Sequence, residues 1–215
     1  MDYNNKPHDY FSNTREEMLH FLPTNAKRVL DVGCGDGVFA KAVKEKNNAE
    51  VWGIELMVDE ADKAKKILDK TFSGTCEDNI DNLPDDYFDV IYFNDVLEHL
   101  VDPYTVLERI KLKLKKQGRI ISSIPNVRYH NTFMKVLFQK DWKYEDYGVM
   151  DITHLRFFTG KSIKRMYEEA GFRVEKHHGI NRSKSLKVYL YNILFLFTAL
   201  DIMYPQYVTV AVKES

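Results

Sequence analysis

The stretch "RVLDVGCGDGVFAKAVKEKNNAEVWGIEL" (residues 28–56) constrains this chain more than any other. Its apolar run "RVLDV" ends in glycines and reads as a strand buried on both faces. "DGVFAKAVKEK" follows with helical periodicity and a charged outer face. "AEVWGIEL" reads as a second strand, with Glu55 at its end. A strand, a glycine loop and a helix form the ligand-binding unit of doubly wound α/β folds, which bind at the carboxyl ends of parallel strands.

The alternation runs from residue 27 to residue 125. "VDEADKAKKILDK" reads as a helix whose Asp59/Lys63 and Asp62/Lys66 pairs, four apart, suit an exposed face. "FDVIYFN" reads as a strand after the turn "LPDD". "DPYTVLERIKLKLKKQG" reads as a helix, with Pro103 near its start and Gly118 past its end, and "RIISSIP" as another strand. Such alternation predicts a parallel sheet with helices on both faces and right-handed crossovers. Residues 126–159, "NVRYHNTFMKVLFQKDWKYEDYGVMDITHLRFFT", are rich in aromatic and basic residues and too long for an ordinary connection. An insertion at the C-terminal edge of a parallel sheet is placed to be a substrate lid. "TGKSIKRMYEEAG" resumes the pattern as a helix, capped by Thr159 and stopped by Gly171. "FRVEKHHGI" and "YVTVAVK" read as closing strands, with a helical segment at 183–200 between them.

Composition narrows the partners. At 215 residues the chain suits one sizeable domain. A formal net charge of −1 argues against a general nucleic-acid binder. Only two cysteines, Cys34 and Cys76, occur, without CxxC spacing, and the N-terminus lacks an apolar signal region. A cytoplasmic location is therefore expected. The apolar segment 188–200 is too short to span a bilayer and contains Asn192 and Thr198. It reads as a buried helix or the surface of a homodimer.

The loop also selects its ligand. A dinucleotide fingerprint needs G-x-G-x-x-G, but the third position here is Val38. The pattern is instead Asp31, Gly33, Gly35, Gly37, with Asp36 where a pyrophosphate would want the bare helix terminus. Glu55 stands where a carboxylate can accept two hydrogen bonds from a ribose diol. A ribose, a positive charge and no pyrophosphate point to S-adenosylmethionine. An NAD(P)-dependent oxidoreductase is the reading this disfavours.

"VLDVGCGDG", "GIEL", "LPDDYFDVI" and "NDVLEHLVDP" resemble the motifs of class I S-adenosylmethionine-dependent methyltransferases. They look most like the small-molecule branch that includes the ubiquinone-biosynthesis O-methyltransferases and bacterial sugar and polysaccharide methyltransferases. The resemblance implies a Rossmann-like α/β fold, a seven-stranded sheet of order 3-2-1-4-5-7-6 with strand 7 antiparallel, and a lid insertion after strand 5. It divides the chain into a cofactor-covering segment (1–26), a cofactor-binding core (27–125), an acceptor lid (126–159) and a part that completes the sheet (160–215). The resemblance implies that Asp31, Gly33, Cys34, Gly35 and Gly37 shape the loop under the methionine part of the cofactor. It further implies that Glu55 holds the ribose and that Leu56 and Met57 pack on the adenine. The family's acidic partner of the adenine amino group is commonly in a Gly-Asp pair, and this sequence departs from that pattern. Glu77 or Asp78 is favoured, with Cys76 lining the site. Asn94 and Asp95 are expected beside the sulfonium, though Asp95 also reads as a helix-start residue. Tyr10 and Arg15 resemble residues that cover the cofactor, and Arg15 is suited to pair with its carboxylate.

Methyl transfer to oxygen gains from alignment and from a base. The candidates are His154, in "DITHLRFFT" with Asp151 and Arg156 nearby, and His99, in "EHL". "HLRFFT" resembles a segment of methyltransferases in bacterial glycan pathways. Asp95, Glu98 and His99 resemble the E-x-x-E-H metal ligands of the ubiquinone-type enzymes, with Asp in the first place, but one helix face is an incomplete coordination sphere, so no metal is expected and Glu98 and His99 also read as holding the loop in place. Arg128, Tyr129, His130, Trp142, Tyr144 and Tyr147 in the lid are suited to stack on and hydrogen-bond a polar ring. The leading expectation is an enzyme acting on a small hydroxylated acceptor. The alternative is a non-catalytic S-adenosylmethionine-binding module that assists a partner.

Overall fold

The computed structural model describes residues 14–214, so Tyr10 lies outside the described residues. Strands β1 (Arg28–Val32), β2 (Glu50–Glu55), β3 (Lys70–Ser73), β4 (Phe88–Asn94), β5 (Leu114–Pro125), β6 (Phe172–Ile180) and β7 (Gln206–Lys213) form one sheet. Its order is β3-β2-β1-β4-β5-β7-β6. The first five strands are parallel, and β7 runs antiparallel to both β5 and β6. This is the expected class I arrangement.

Strand alternation splits the core into two layers. Leu30, Val32, Ile54, Phe93 and Ile120 face one side with Leu107 and Ile110 of α5 (Pro103–Lys111) and Ile163, Met166 and Tyr167 of α7 (Gly160–Glu169). Val29, Val51, Val90, Tyr92 and Ile121 face the other with Phe39, Ala40 and Val43 of α2 (Val38–Asn47) and Met18 of α1 (Glu16–Leu19). The cap of α7 is as its sequence predicts. Thr159 Oγ1 accepts from Ser162 N, Ser162 Oγ accepts from Thr159 N at 2.9 Å, and Gly171 ends the unit at φ 75°.

Three expected elements are shorter. The helix expected to reach Gly118 stops at Lys111, because Leu114 is wholly buried and pairs with Phe88 as the start of β5. The helix after β2 is α3 (Val58–Ala64), and its charged pairs form at i,i+3 instead of i,i+4: Lys63 with Glu60 and Lys65 with Asp62, both at 2.7 Å. The segment at 183–200 contains only α8 (Lys187–Leu194). This helix buries Val188 and Asn192 but exposes Tyr189, Leu190 and Ile193, so it is not a fully buried helix. Among the described residues no helix is long and apolar enough to cross a membrane.

After β5 the insertion carries α6 (His130–Met134), a π-turn at Lys135–Gln139 and a long loop. Its start is tied down by buried Asn126, whose side chain donates to the carbonyls of Asp201 and Tyr204. Its end docks through Leu155 N and Arg156 N, which both donate to Glu98 O at 2.9 Å.

Candidate functional site

A cavity of about 610 Å³ opens at the carboxyl ends of β1, β2 and β4, a volume within the range of small-molecule sites. The glycine loop forms its floor. Gly33, Gly35 and Gly37 all have positive φ (73°, 53° and 89°), which glycine adopts without the Cβ penalty. A side chain on Gly33 would meet Val96 Cγ2 at 2.6 Å. Gly37 ends the loop as the cap of α2, and a Cβ there would come within 3.2 Å of Ala64 Cα, so it also sets the approach of α2 to α3; it does not itself line the cavity.

Glu55 holds this loop to the next strand. Its carboxylate accepts from Gly35 N at 2.8 Å and Met57 N at 2.9 Å, and the residue is only 6% exposed. Burial raises its pKa, and those backbone donors oppose the rise. Asp31, 2% exposed, is pushed up to about 8 by burial and by the charge of Glu55, against Arg15. Asp31 Oδ1 and Asn94 Oδ1 are buried without a hydrogen-bond partner. Native proteins rarely leave such atoms unsatisfied unless a ligand or water completes them. An acidic, partly unsatisfied pocket suits a cationic group and fits an ammonium–sulfonium ligand.

Cys34, Leu56, Met57, Cys76 and Glu77 also line the cavity. Asp78 does not. It is exposed and accepts from Thr75 Oγ1 at 2.6 Å, at the start of α4 (Cys76–Asn79). Asp95 and Arg15 line it together. The Asp95 carboxylate, at φ 53°, is gripped by Arg15, by Ser123 Oγ at 2.9 Å and by Gln206 Nε2 at 2.9 and 3.0 Å. Gln206 opens β7, far along the chain, and no local pattern in the sequence marks it.

His99 lines the cavity, whereas His154 does not. His154 packs against His99, ring centroids 4.8 Å apart, and is itself buried. His99 Nδ1 is 3.0 Å from Thr153 O, and His154 Nδ1 is 3.1 Å from Val149 O. His154 Nε2 approaches Glu98 Oε1 at 3.9 Å. Glu98 is 1% exposed, neither of its carboxylate oxygens has a hydrogen-bond partner, and burial foremost pushes its pKa up to about 8. One ligand atom from each of Glu98, His99 and His154 lies within 4.8 Å of the others. Among the described residues this cluster shares Glu98 and His99 with the trio that the sequence resemblance offered and has His154 where that trio had Asp95, which is engaged by Arg15, Ser123 and Gln206.

A family model described as a methyltransferase domain matches residues 7–177. The chain is 30% identical over 178 residues to a ubiquinone biosynthesis O-methyltransferase from Thiobacillus denitrificans, covering 78% of this chain and 73% of that protein. It is 29% identical over 165 residues to the protein of the same description from Aeromonas salmonicida, covering 72% of this chain and 66% of that protein. Across such relatives the match spans from 45% to 73% of the relative's length. In fold the chain resembles the crystal structure of a SAM-dependent methyltransferase from Archaeoglobus fulgidus. The TM-score is 0.69 at 22% identity, covering 99% of this chain and all of that one.

Proposed function

The chain belongs to the methyltransferase-domain family and is an S-adenosylmethionine-dependent methyltransferase; we propose that it methylates an oxygen of a small hydroxylated acceptor, such as a sugar or glycan precursor. The observation that carries this reading is His99, a histidine on the wall of a cavity whose charged residues are acidic except for Arg15. The similarity to O-methyltransferases supports oxygen as the methylated atom.

When bound, S-adenosylmethionine supplies an electrophilic methyl group on a sulfonium. Glu55 would hold the ribose hydroxyls with its remaining acceptor capacity, and Asp31 and Asn94 would offer their unsatisfied oxygens to the cationic end. Leu56, Met57 and Glu77 would surround the adenine. The Arg15–Asp95–Gln206 clamp would close the methionine end. His99, with Nδ1–H donated to Thr153 O, would present Nε2 to take the acceptor's proton. His154 would brace that ring from behind.

A second reading rests on Glu98. Its two bare oxygens and a pair of histidines held through Nδ1 are the donor set and outer-shell support that a divalent ion needs. Glu98, His99 and His154 would then be ligands, and the ion would supply Lewis acidity to the acceptor oxygen.

Turnover with a library of hydroxylated acceptors, read as adenosylhomocysteine release with product mass, tests the proposal. An O-methylated product is expected. His99→Ala should lower kcat by roughly 10²–10⁴-fold while adenosylhomocysteine affinity is kept. A product methylated on nitrogen or carbon would overturn the oxygen assignment. Activity insensitive to chelation, with no metal in the purified protein, would remove the second reading.

A further inference from the structure

A second cavity, about 540 Å³, is built mainly from the insertion and α8. It adjoins the first, because Tyr147 and Gly148 line both. The two have opposite polarity. The acidic residues of the first are Glu17, Asp31, Glu55, Glu77 and Asp95, against Arg15. The charged residues of the second are Lys135, Glu145 and Lys187. Glu145 is neutralised by Lys135, which contacts its carboxylate. Lys187 then remains as an ammonium with no ion-pair partner among the described residues.

The wall around that ammonium mixes polar groups with the apolar Met134, Val149 and Pro205. His130 is 5% exposed and faces the cavity with Nε2 3.1 Å from Ser183 Oγ. Burial and then the charge of Lys187 lower its pKa, which favours the neutral ring. A neutral imidazole can donate to an anion or accept from a hydroxyl. Tyr129 and Tyr191 add ring faces and phenol groups. An uncompensated cation beside neutral donors in a concave site favours an anion, and the acids of the neighbouring cavity repel one.

Resting on the methyl-transfer reading above, we propose that this cavity is an acceptor subsite for the anionic group, carboxylate or phosphate, of a ring-bearing substrate, with Lys187 as its specificity-determining charge. The anionic end is drawn across the Tyr147–Gly148 turn, away from the acidic cofactor cavity. The hydroxylated end is left toward His99. Charge polarity thus orients the acceptor as well as binding it.

The test uses the full chain loaded with adenosylhomocysteine, its binding first verified by calorimetry. Phenyl phosphate, benzoate and benzyl alcohol are then titrated against the wild type, Lys187→Gln and Lys187→Arg. At least one of the two anions should bind ten or more times more tightly than benzyl alcohol, and His130 ring resonances should shift. Lys187→Gln should erase the preference, and Lys187→Arg should retain it. Benzyl alcohol affinity and Tm should stay constant across the set, since Lys187 is exposed. Preference for phenyl phosphate identifies a phosphorylated acceptor, and preference for benzoate a carboxylated one. Wild-type protein that binds neither anion better than the alcohol, or a preference that survives Lys187→Gln, overturns the proposal. Failure of adenosylhomocysteine itself to bind would count against the methyl-transfer reading instead.

Discussion

Replacing Asp31 with Asn tests the electrostatic design of the cofactor cavity. The substitution keeps one oxygen and the side-chain shape but removes a titrating charge. Asp31 has its pKa raised from 3.8 to about 8, first through burial. The folded protein therefore holds a proton here that the unfolded chain has lost, between about pH 4 and pH 8. Stability from this group is complete at low pH and is lost as pH rises through the folded value. At about 1.36 kcal/mol per pKa unit, the loss between pH 5 and pH 8 comes to about 3–4 kcal/mol. For a chain of this size that is roughly 8–14 °C in Tm. Scanning calorimetry of the ligand-free wild type should show Tm falling across this range, with a fall smaller by about that amount in Asp31→Asn. If Asp31 receives the adenosylhomocysteine ammonium as proposed, binding favours the ionised carboxylate. Wild-type affinity should therefore drop between pH 8 and pH 5, and the variant's should change less. Parallel Tm–pH curves for the two proteins would refute the assignment of Asp31 as a buried, partly unsatisfied carboxyl.

Three further outcomes are expected. Glu55→Ala strips the acceptor from Gly35 N and Met57 N and, on the proposed role of Glu55, one support from the ribose; adenosylhomocysteine affinity should fall by about 1.5–3 kcal/mol in calorimetry, with a lower Tm. Gly35→Val, at φ 53°, should leave a folded protein by circular dichroism that no longer binds the cofactor product; undiminished binding would argue against the loop assignment. If a divalent ion is held at Glu98, Mn²⁺ or Zn²⁺ should raise the wild-type Tm, more at pH 8 than at pH 6, because ligation needs the ionised carboxylate. Glu98→Gln should abolish that rise.

The sequence by itself determined the sheet and the loop. Buried strands announce themselves as apolar runs, and β4 and β6 have the bounds that "FDVIYFN" and "FRVEKHHGI" suggest. Glycines at 33, 35 and 37 mark positive φ because little else adopts it cheaply. Thr159 and Gly171 mark helix ends through hydrogen bonds made within four residues. All of these are local, set by backbone conformation and by the periods of strand and helix. The tertiary structure decided what local rules do not reach. Leu114 leaves a helical pattern for β5 because the sheet offers it a wholly buried place beside Phe88. Asp95 becomes a clamp only because β7 returns antiparallel and delivers Gln206 to it. His154 joins Glu98 and His99 because the end of the insertion hydrogen-bonds to the Glu98 carbonyl, which moves the histidine from the acceptor wall expected of it to a place behind His99. Such contacts between distant segments depend on how whole elements pack, and a side chain's immediate neighbours in sequence carry no record of that packing.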